Sequence, residues 1–352
     1  MTEARPIIIN PEILKETYIL VNTSVREAHL EELLRCLRPG FDKKKPMHAW
    51  LFGEPGTGKT LLVKHVLGKM SREALVGGAY INCWEQNSFY SVLDKLVREL
   101  RMLGAEKLNS SFKLERLKMF VGNRPFIIVL DEIDKPKREE RDSILYNLCN
   151  VGNVGLVCVS NSRSVLYSMD ERIKSRLNAK QIEFRPYAQD DLFCILKQRA
   201  ELALSPGSCN EATLRKIAEL AEGDARVAIQ TLKNAAYNAE KDAGKAINEN
   251  HIKYGFTSAK GMKKTFLLEN LTSHHRLLYD LVAERGKINS GELWQAYLDR
   301  CDSLSKPPIA LRTFSEYMNK LIELGLVRWD RALVRGKVRV FKVSHDNGNL
   351  TF

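Results

Sequence analysis

The 352-residue sequence holds no apolar run close to the roughly 18 residues of a membrane span. Its first residues lack the charged, apolar and small-residue order of a secretory leader. Neither a basic amphipathic helix nor a lipidation signal marks a membrane-surface protein. A cytoplasmic chain with no membrane partner is expected. The seven cysteines (Cys36, Cys83, Cys149, Cys158, Cys194, Cys209 and Cys301) form no Cys-x-x-Cys pair, and their number is odd. A disulfide framework or zinc site needs paired spacing, so reduced, mostly structural thiols are expected. The seven histidines show no metal-ligand spacing, and His274-His275 reads as a pair on a helix surface.

What the chain has in excess is positive charge. Its formal net charge is +12 and its pI is near 9.3, which favours a polyanion as partner, nucleic acid before membrane. The charge is uneven. Residues 328–342, RWDRALVRGKVRVFK, carry six cations and one carboxylate, although residues 265–352 as a whole are only +3. The Arg335-Gly336 pair lies between two runs that can be strands, which gives a basic hairpin. Cations can also serve merely to protect a sheet edge.

Residues 49–67, AWLFGEPGTGKTLLVKHVL, contain Gly53 to Thr60 in the spacing G-x-x-x-x-G-K-[ST], between an apolar run and an apolar-periodic helix. Glycines in that spacing let backbone N–H groups turn inward around phosphate oxygens, and the following helix directs its positive end at them. Gly53, Pro55, Gly56, Thr57, Gly58, Lys59, Thr60 and Leu61 are therefore candidate nucleotide contacts. Lys59 is expected to meet the β and γ phosphates, and Thr60 to offer a hydroxyl to Mg²⁺.

Residues 126–134, FIIVLDEID, read as a strand buried on both faces that ends in two acids. In nucleotide hydrolases such a pair divides its work: here Asp131 would take the metal and Glu132 the attacking water. A second apolar run, GLVCVSN, ends at Ser160-Asn161, where the Asn161 amide could orient that water. Arg172 and Arg176 lie four apart on a predicted helix, and either could act as a finger on a neighbour's γ-phosphate. Residues 190–243 carry three helical periods and read as a lid. Arg226 begins the last of them, and Tyr187 and Arg199 flank the joint.

GEPGTGKT, LDEID, the Asn161 strand end, RIKSRL and GDAR follow the motif order of AAA+ ATPases. Together with Arg26-Glu27, YINC (80–83), DSILYNL (142–148) and FRPYAQDDL (184–192), the chain resembles archaeal origin-recognition/Cdc-type replication initiators over nearly its whole length. The resemblance implies sensor 1 at Asn161, sensor 2 at Arg226, and nucleotide contacts at Tyr187 and Arg199. Two positions depart from the family pattern: Ser162 stands where an acid commonly follows, and Arg176 stands where many archaeal relatives have Ser. The family also places a DNA-contacting helix near the second strand, at SFYSVLDKLVRELRMLG, although its apolar positions indicate a packed helix.

Past TSAKGMKK, read as a linker, Ser273 can cap a helix with Leu277, Leu278, Leu281 and Val282 on one face. ELWQAYLDR forms a second helix. A third, IALRTFSEYMNKLIELG, has a predicted buried stripe of Leu311, Phe314, Met318, Leu321 and Ile322. With the hairpin this makes a winged helix. Its third helix would offer Arg312, Thr313, Ser315 and Asn319 to DNA, and the wing Arg331, Arg335, Gly336, Lys337 and Arg339.

The expected architecture is thus an α/β AAA+ P-loop core (1–186), a helical lid (187–256), a linker (257–265) and an α+β winged-helix domain (266–352). The expected function is a slow Mg²⁺-dependent ATPase, switched between ATP and ADP, that binds double-stranded origin DNA. The resemblance implies other initiator subunits and the replicative helicase as partners. The alternatives are a transcriptional or signalling P-loop ATPase with a winged helix, and a non-hydrolysing nucleotide-bound DNA-binding protein.

Overall fold

The apolar runs of the first half become five strands: β1 (Ala49–Gly53), β2 (Gly77–Asn82), β3 (Phe126–Asp131), β4 (Val154–Ser160) and β5 (Lys180–Phe184). They pair in parallel in the order β2-β3-β4-β1-β5. β3 and β4 are buried at every residue, as strands covered on both faces must be. Alternate residues enter opposite layers of core. Trp50, Ile128, Leu130 and Cys158 lie in one, and Leu51, Ile127, Val129 and Val157 in the other.

α1 (Glu27–Leu37) precedes the sheet, and the helices between the strands are α2 (Lys59–Arg72), α3 (Phe89–Glu99), α4 (Ser110–Val121), α5 (Arg138–Cys149), α6 (Ser164–Tyr167) and α7 (Glu171–Leu177). α3 buries Val92, Leu93, Leu96 and Val97, so it is a packed helix. The computed structural model describes residues 6–19, 24–72, 76–102, 104, 108–269, 271–331 and 339–344.

The lid comprises α8 (Gln189–Ala203), α9 (Glu211–Leu220) and α10 (Ala225–Lys241). An N-terminal strap packs on it, which the sequence pattern does not announce. Ile8 bridges Leu204, and the Ile9 and Asn10 amides donate to the Ala203 carbonyl. Ile13 and Leu14, in a 3₁₀ turn, are buried.

The chain divides into two compact units, Met1–Phe256 and Thr257–Phe352. The stretch expected as a linker, which begins where the two units divide, is helical. Residues 257–264 belong to α11 (Glu249–Glu269), a single helix.

The second unit contains α12 (Ser273–Arg285), β6 (Lys287–Asn289), α13 (Ser290–Ser303), α14 (Leu311–Glu323), β7 (Val327–Arg331) and β8 (Arg339–Val343). Its sheet has three antiparallel strands, β6-β8-β7, where the hairpin alone was expected. Thr272, not Ser273, caps α12 by accepting from the His275 amide. Leu311 is exposed rather than part of the buried stripe, because it opens α14 beyond the edge of the core; Phe314, Met318 and Leu321 are buried. His274 and His275 are not a surface pair. His275 is buried against Tyr317 with ring centroids 3.7 Å apart, and His274 bonds the Tyr297 hydroxyl.

Candidate nucleotide site and nucleic-acid interface

β1 ends at Gly53 and α2 begins at Lys59, so the loop between them turns at the C-terminal edge of the parallel sheet, where ligands of such sheets bind. Gly53, Gly56 and Gly58 have φ of 149°, 80° and 89°, values that L side chains rarely adopt. A Cβ at Gly56 would collide with the Asp224 carboxylate, and one at Gly58 with the Tyr187 hydroxyl. The glycines therefore serve both the turn and the close approach of the lid. Thr57 is buried and its hydroxyl donates to the Glu54 carbonyl, while Pro55 is exposed and Leu61 half-buried.

Lys59 is buried, with Nζ donating to the Gly53 and Glu54 carbonyls at 2.7 and 2.8 Å. Burial lowers its pKa to about 8, and the nearby Arg226 adds to the effect. A partly desolvated cation of this kind gains from an anionic phosphate. Thr60 follows it on the first turn of α2.

The strand order brings the acids beside this loop. β4 lies between β1 and β3, so the Asn161 end of β4 stands between the phosphate loop and the acid pair. Asp131 is buried and accepts from the Tyr80 hydroxyl at 2.6 Å and from the Glu132 amide at 2.9 Å. Tyr80, the first residue of YINC, thus joins the candidate site through a contact that the sequence alone does not reveal. Glu132 sits at φ 54°, a strained conformation of the kind that functional sites retain. Burial raises its pKa above the ordinary carboxylate value, which makes the ionised group a stronger base. The backbone N–H of Asn161 donates to the Asp134 carboxylate at 3.2 Å.

The lid closes over the loop. The Ala225 amide donates to the Gly56 carbonyl at 3.2 Å, and the Tyr187 amide to Gly223 at 3.0 Å. The Tyr187 ring lies 4.0 Å from the Arg26 guanidinium, whose Nη2 also bonds the Arg185 carbonyl. Arg226, half-exposed, faces Glu16 at 4.0 Å.

Arg199 lies on α8 and bonds the N-terminal strap. It is buried, and its guanidinium donates to the carbonyls of Ile13, Lys15 and Tyr18. Among the described residues, these bonds hold the strap to α8. Burial lowers its pKa to about 10.

The two candidate fingers also differ. Arg176 is tethered within its own chain, donating to Asn150 at 2.6 Å and stacking 4.8 Å from the Tyr146 ring. Arg172 is 85% exposed and, among the described residues, pairs with Asp170, the cap of its own helix.

In the second unit, α14 presents Arg312, Ser315 and Asn319 to solvent, with Thr313 half-buried. Arg312 pairs with Glu316 one turn on. Arg339 of β8 joins helix to wing: Nη1 donates to the Asn319 amide oxygen at 3.0 Å, and the guanidinium lies 4.9 Å from the Trp329 ring. Trp329, 38% exposed, had not been singled out from sequence. Arg331 lies on β7. Arg335, Gly336 and Lys337 fall outside the described residues.

A five-stranded parallel sheet in this order, with a phosphate loop after its β1, an acid pair after β3, a polar tip on β4 and an arginine-bearing helical lid, defines an AAA+ ATPase core. The profile of the AAA ATPase domain matches residues 24–159, and that of the Cdc6 AAA+ ATPase-type lid domain matches residues 193–257. The chain belongs to the ORC1-type DNA replication proteins. The Pyrococcus horikoshii member is 30% identical across 93% of this chain and 84% of its own length. The Thermococcus kodakarensis member is 31% identical across 92% and 84%. Among solved structures, that of the Aeropyrum pernix ORC1 protein in complex with DNA superposes with a TM-score of 0.79 at 27% identity, covering 96% of this chain and 94% of that one. Cdc6p from Pyrobaculum aerophilum shares the fold, with a TM-score of 0.66 at 23% identity. No described helix is long and apolar enough to cross a membrane.

Proposed function

We propose that this chain is an ATP-switched replication initiator that binds double-stranded origin DNA through its second unit and helps recruit the replicative helicase. One observation carries the reading. A phosphate loop with an acid pair beside it and a winged-helix unit in which Arg339 joins β8 to α14 occur in one chain, and that chain resembles a DNA-bound ORC1 protein over nearly its full length. The sequence alternative of a signalling or transcriptional P-loop ATPase has no comparable support.

The phosphate site suits Mg²⁺-ATP. The positive-φ glycines of the loop and the buried Lys59 beside them suit phosphate oxygens, and one carboxylate with one hydroxyl matches how Mg²⁺ is held beside substrate phosphates. Thr60 and Asp131 would hold the ion, which supplies charge neutralisation when bound. Lys59 leaves its loop carbonyls for the phosphate oxygens. Glu132 accepts a proton from the attacking water, and Asn161 orients that water. Arg226 reads the γ-phosphate from the lid. Arg172, exposed and paired within its own helix end, is the finger presented to a neighbouring initiator subunit, and Arg176 braces α7 against α5.

The test is filter binding of the full chain to origin and random duplexes. Arg312→Ala reduces the preference for origin DNA by about 1–3 kcal/mol if Arg312 makes a good bidentate base contact. An unchanged preference, or no duplex binding by the unaltered chain, contradicts the proposal.

A further inference from the structure

The N-terminal strap places a carboxylate beside the lid arginine. Glu16 Oε1 accepts from the Gln230 amide at 2.5 Å, and Oε2 faces Arg226 Nε at 4.0 Å. Gln230 and Arg226 are one turn apart on α10, so Glu16 lies against a single face of that helix. The strap holds it there firmly: the three Arg199 bonds flank it at Ile13, Lys15 and Tyr18. Arg226 is also next in sequence to Ala225, whose amide donates to the Gly56 carbonyl of the phosphate loop at 3.2 Å. It therefore stands between two anions, one built into the chain and one that arrives with the nucleotide.

We infer that Glu16 sets the preference between ATP and ADP by competing with the γ-phosphate for Arg226. ADP leaves Arg226 with Glu16. ATP draws Arg226 away, and Glu16 keeps only Gln230. The carboxylate thus weakens ATP binding without touching ADP, which narrows the difference between the two and lets the switch reset. The inference rests on the reading of Arg226 as the γ-phosphate sensor.

Glu16→Gln separates this role from a structural one, because the Gln carbonyl still accepts from Gln230 while the charge is gone. Titration calorimetry of the full chain with Mg²⁺ plus ADP, and with Mg²⁺ plus adenylyl imidodiphosphate as the γ-phosphate probe, reads the effect. A partly exposed ion pair is worth up to about 1 kcal/mol, so the probe should bind about two- to fivefold tighter with ADP unchanged. In an Arg226→Ala background, Glu16→Gln should then change neither. An equal gain for both nucleotides, no gain for either, or the same gain without Arg226 overturns the inference. If Arg226→Ala alone leaves the ratio of the two affinities unaltered, the sensor reading itself falls, and that result is visible separately.

Discussion

The phosphate site and the helix–wing junction are built on opposite principles. At the phosphate site, backbone conformation and burial dictate residue type. Three positive-φ glycines and a buried lysine sit within seven residues, and few other side chains could occupy those positions. At the junction the working groups are exposed. Arg312 and Arg339 are held by one or two polar contacts each, and many sequences could present a cation there. Chemistry on a bound phosphate needs preorganised donors, whereas grip on a DNA backbone needs charge within reach. The first arrangement should fail abruptly on substitution, the second by degrees.

The largest effect is expected from Glu132→Gln, which keeps the size and polarity of the group but removes the base. Steady-state hydrolysis should fall by about 10²–10⁴-fold with ATP affinity retained; equal turnover would remove Glu132 from the chemistry. Next comes Arg172→Ala, which should lower turnover by about 10³-fold only at protein concentrations where subunits associate. Arg176→Ala should act in isolated monomers as well, through a loosened α7. A reversal of the two patterns would exchange their roles. Lys59→Ala removes a cation that meets two phosphates. It should weaken nucleotide binding about a hundredfold, from roughly 3 kcal/mol of charged hydrogen bonding, and leave the salt dependence of duplex binding unaltered.

The junction should yield smaller, graded losses. Arg339→Ala should weaken every duplex by a similar factor and make the salt dependence shallower by about one slope unit. Trp329→Ala should weaken binding less, since it removes only a stacking surface worth about 0.5–1 kcal/mol. Loss of binding to origin DNA alone would show that Arg339 reads bases instead.

The same contrast explains what the sequence disclosed. The P-loop, the acid pair and the apolar strands were legible because spacing and backbone geometry are local. The strap was not, because its partners are far away in the chain: Ile8 with Leu204, Glu16 with Gln230, Arg199 with Ile13. No periodicity announces such contacts. β6 is three residues long, too short for alternation to register. TSAKGMKK resembled a linker because of its small and polar residues, yet one glycine does not stop a helix, and α11 continues through it. Arg199 shows the same distance effect, since burial and three carbonyl acceptors on the strap set its surroundings.

The central claim joins the two regions, since a nucleotide switch and a duplex-binding unit on one chain would mark where replication begins. Mapping the positions this protein occupies on its host genome tests that most directly. The account predicts occupancy concentrated at the sites where replication starts. Occupancy confined to ordinary promoters, with none at replication start sites, would contradict it.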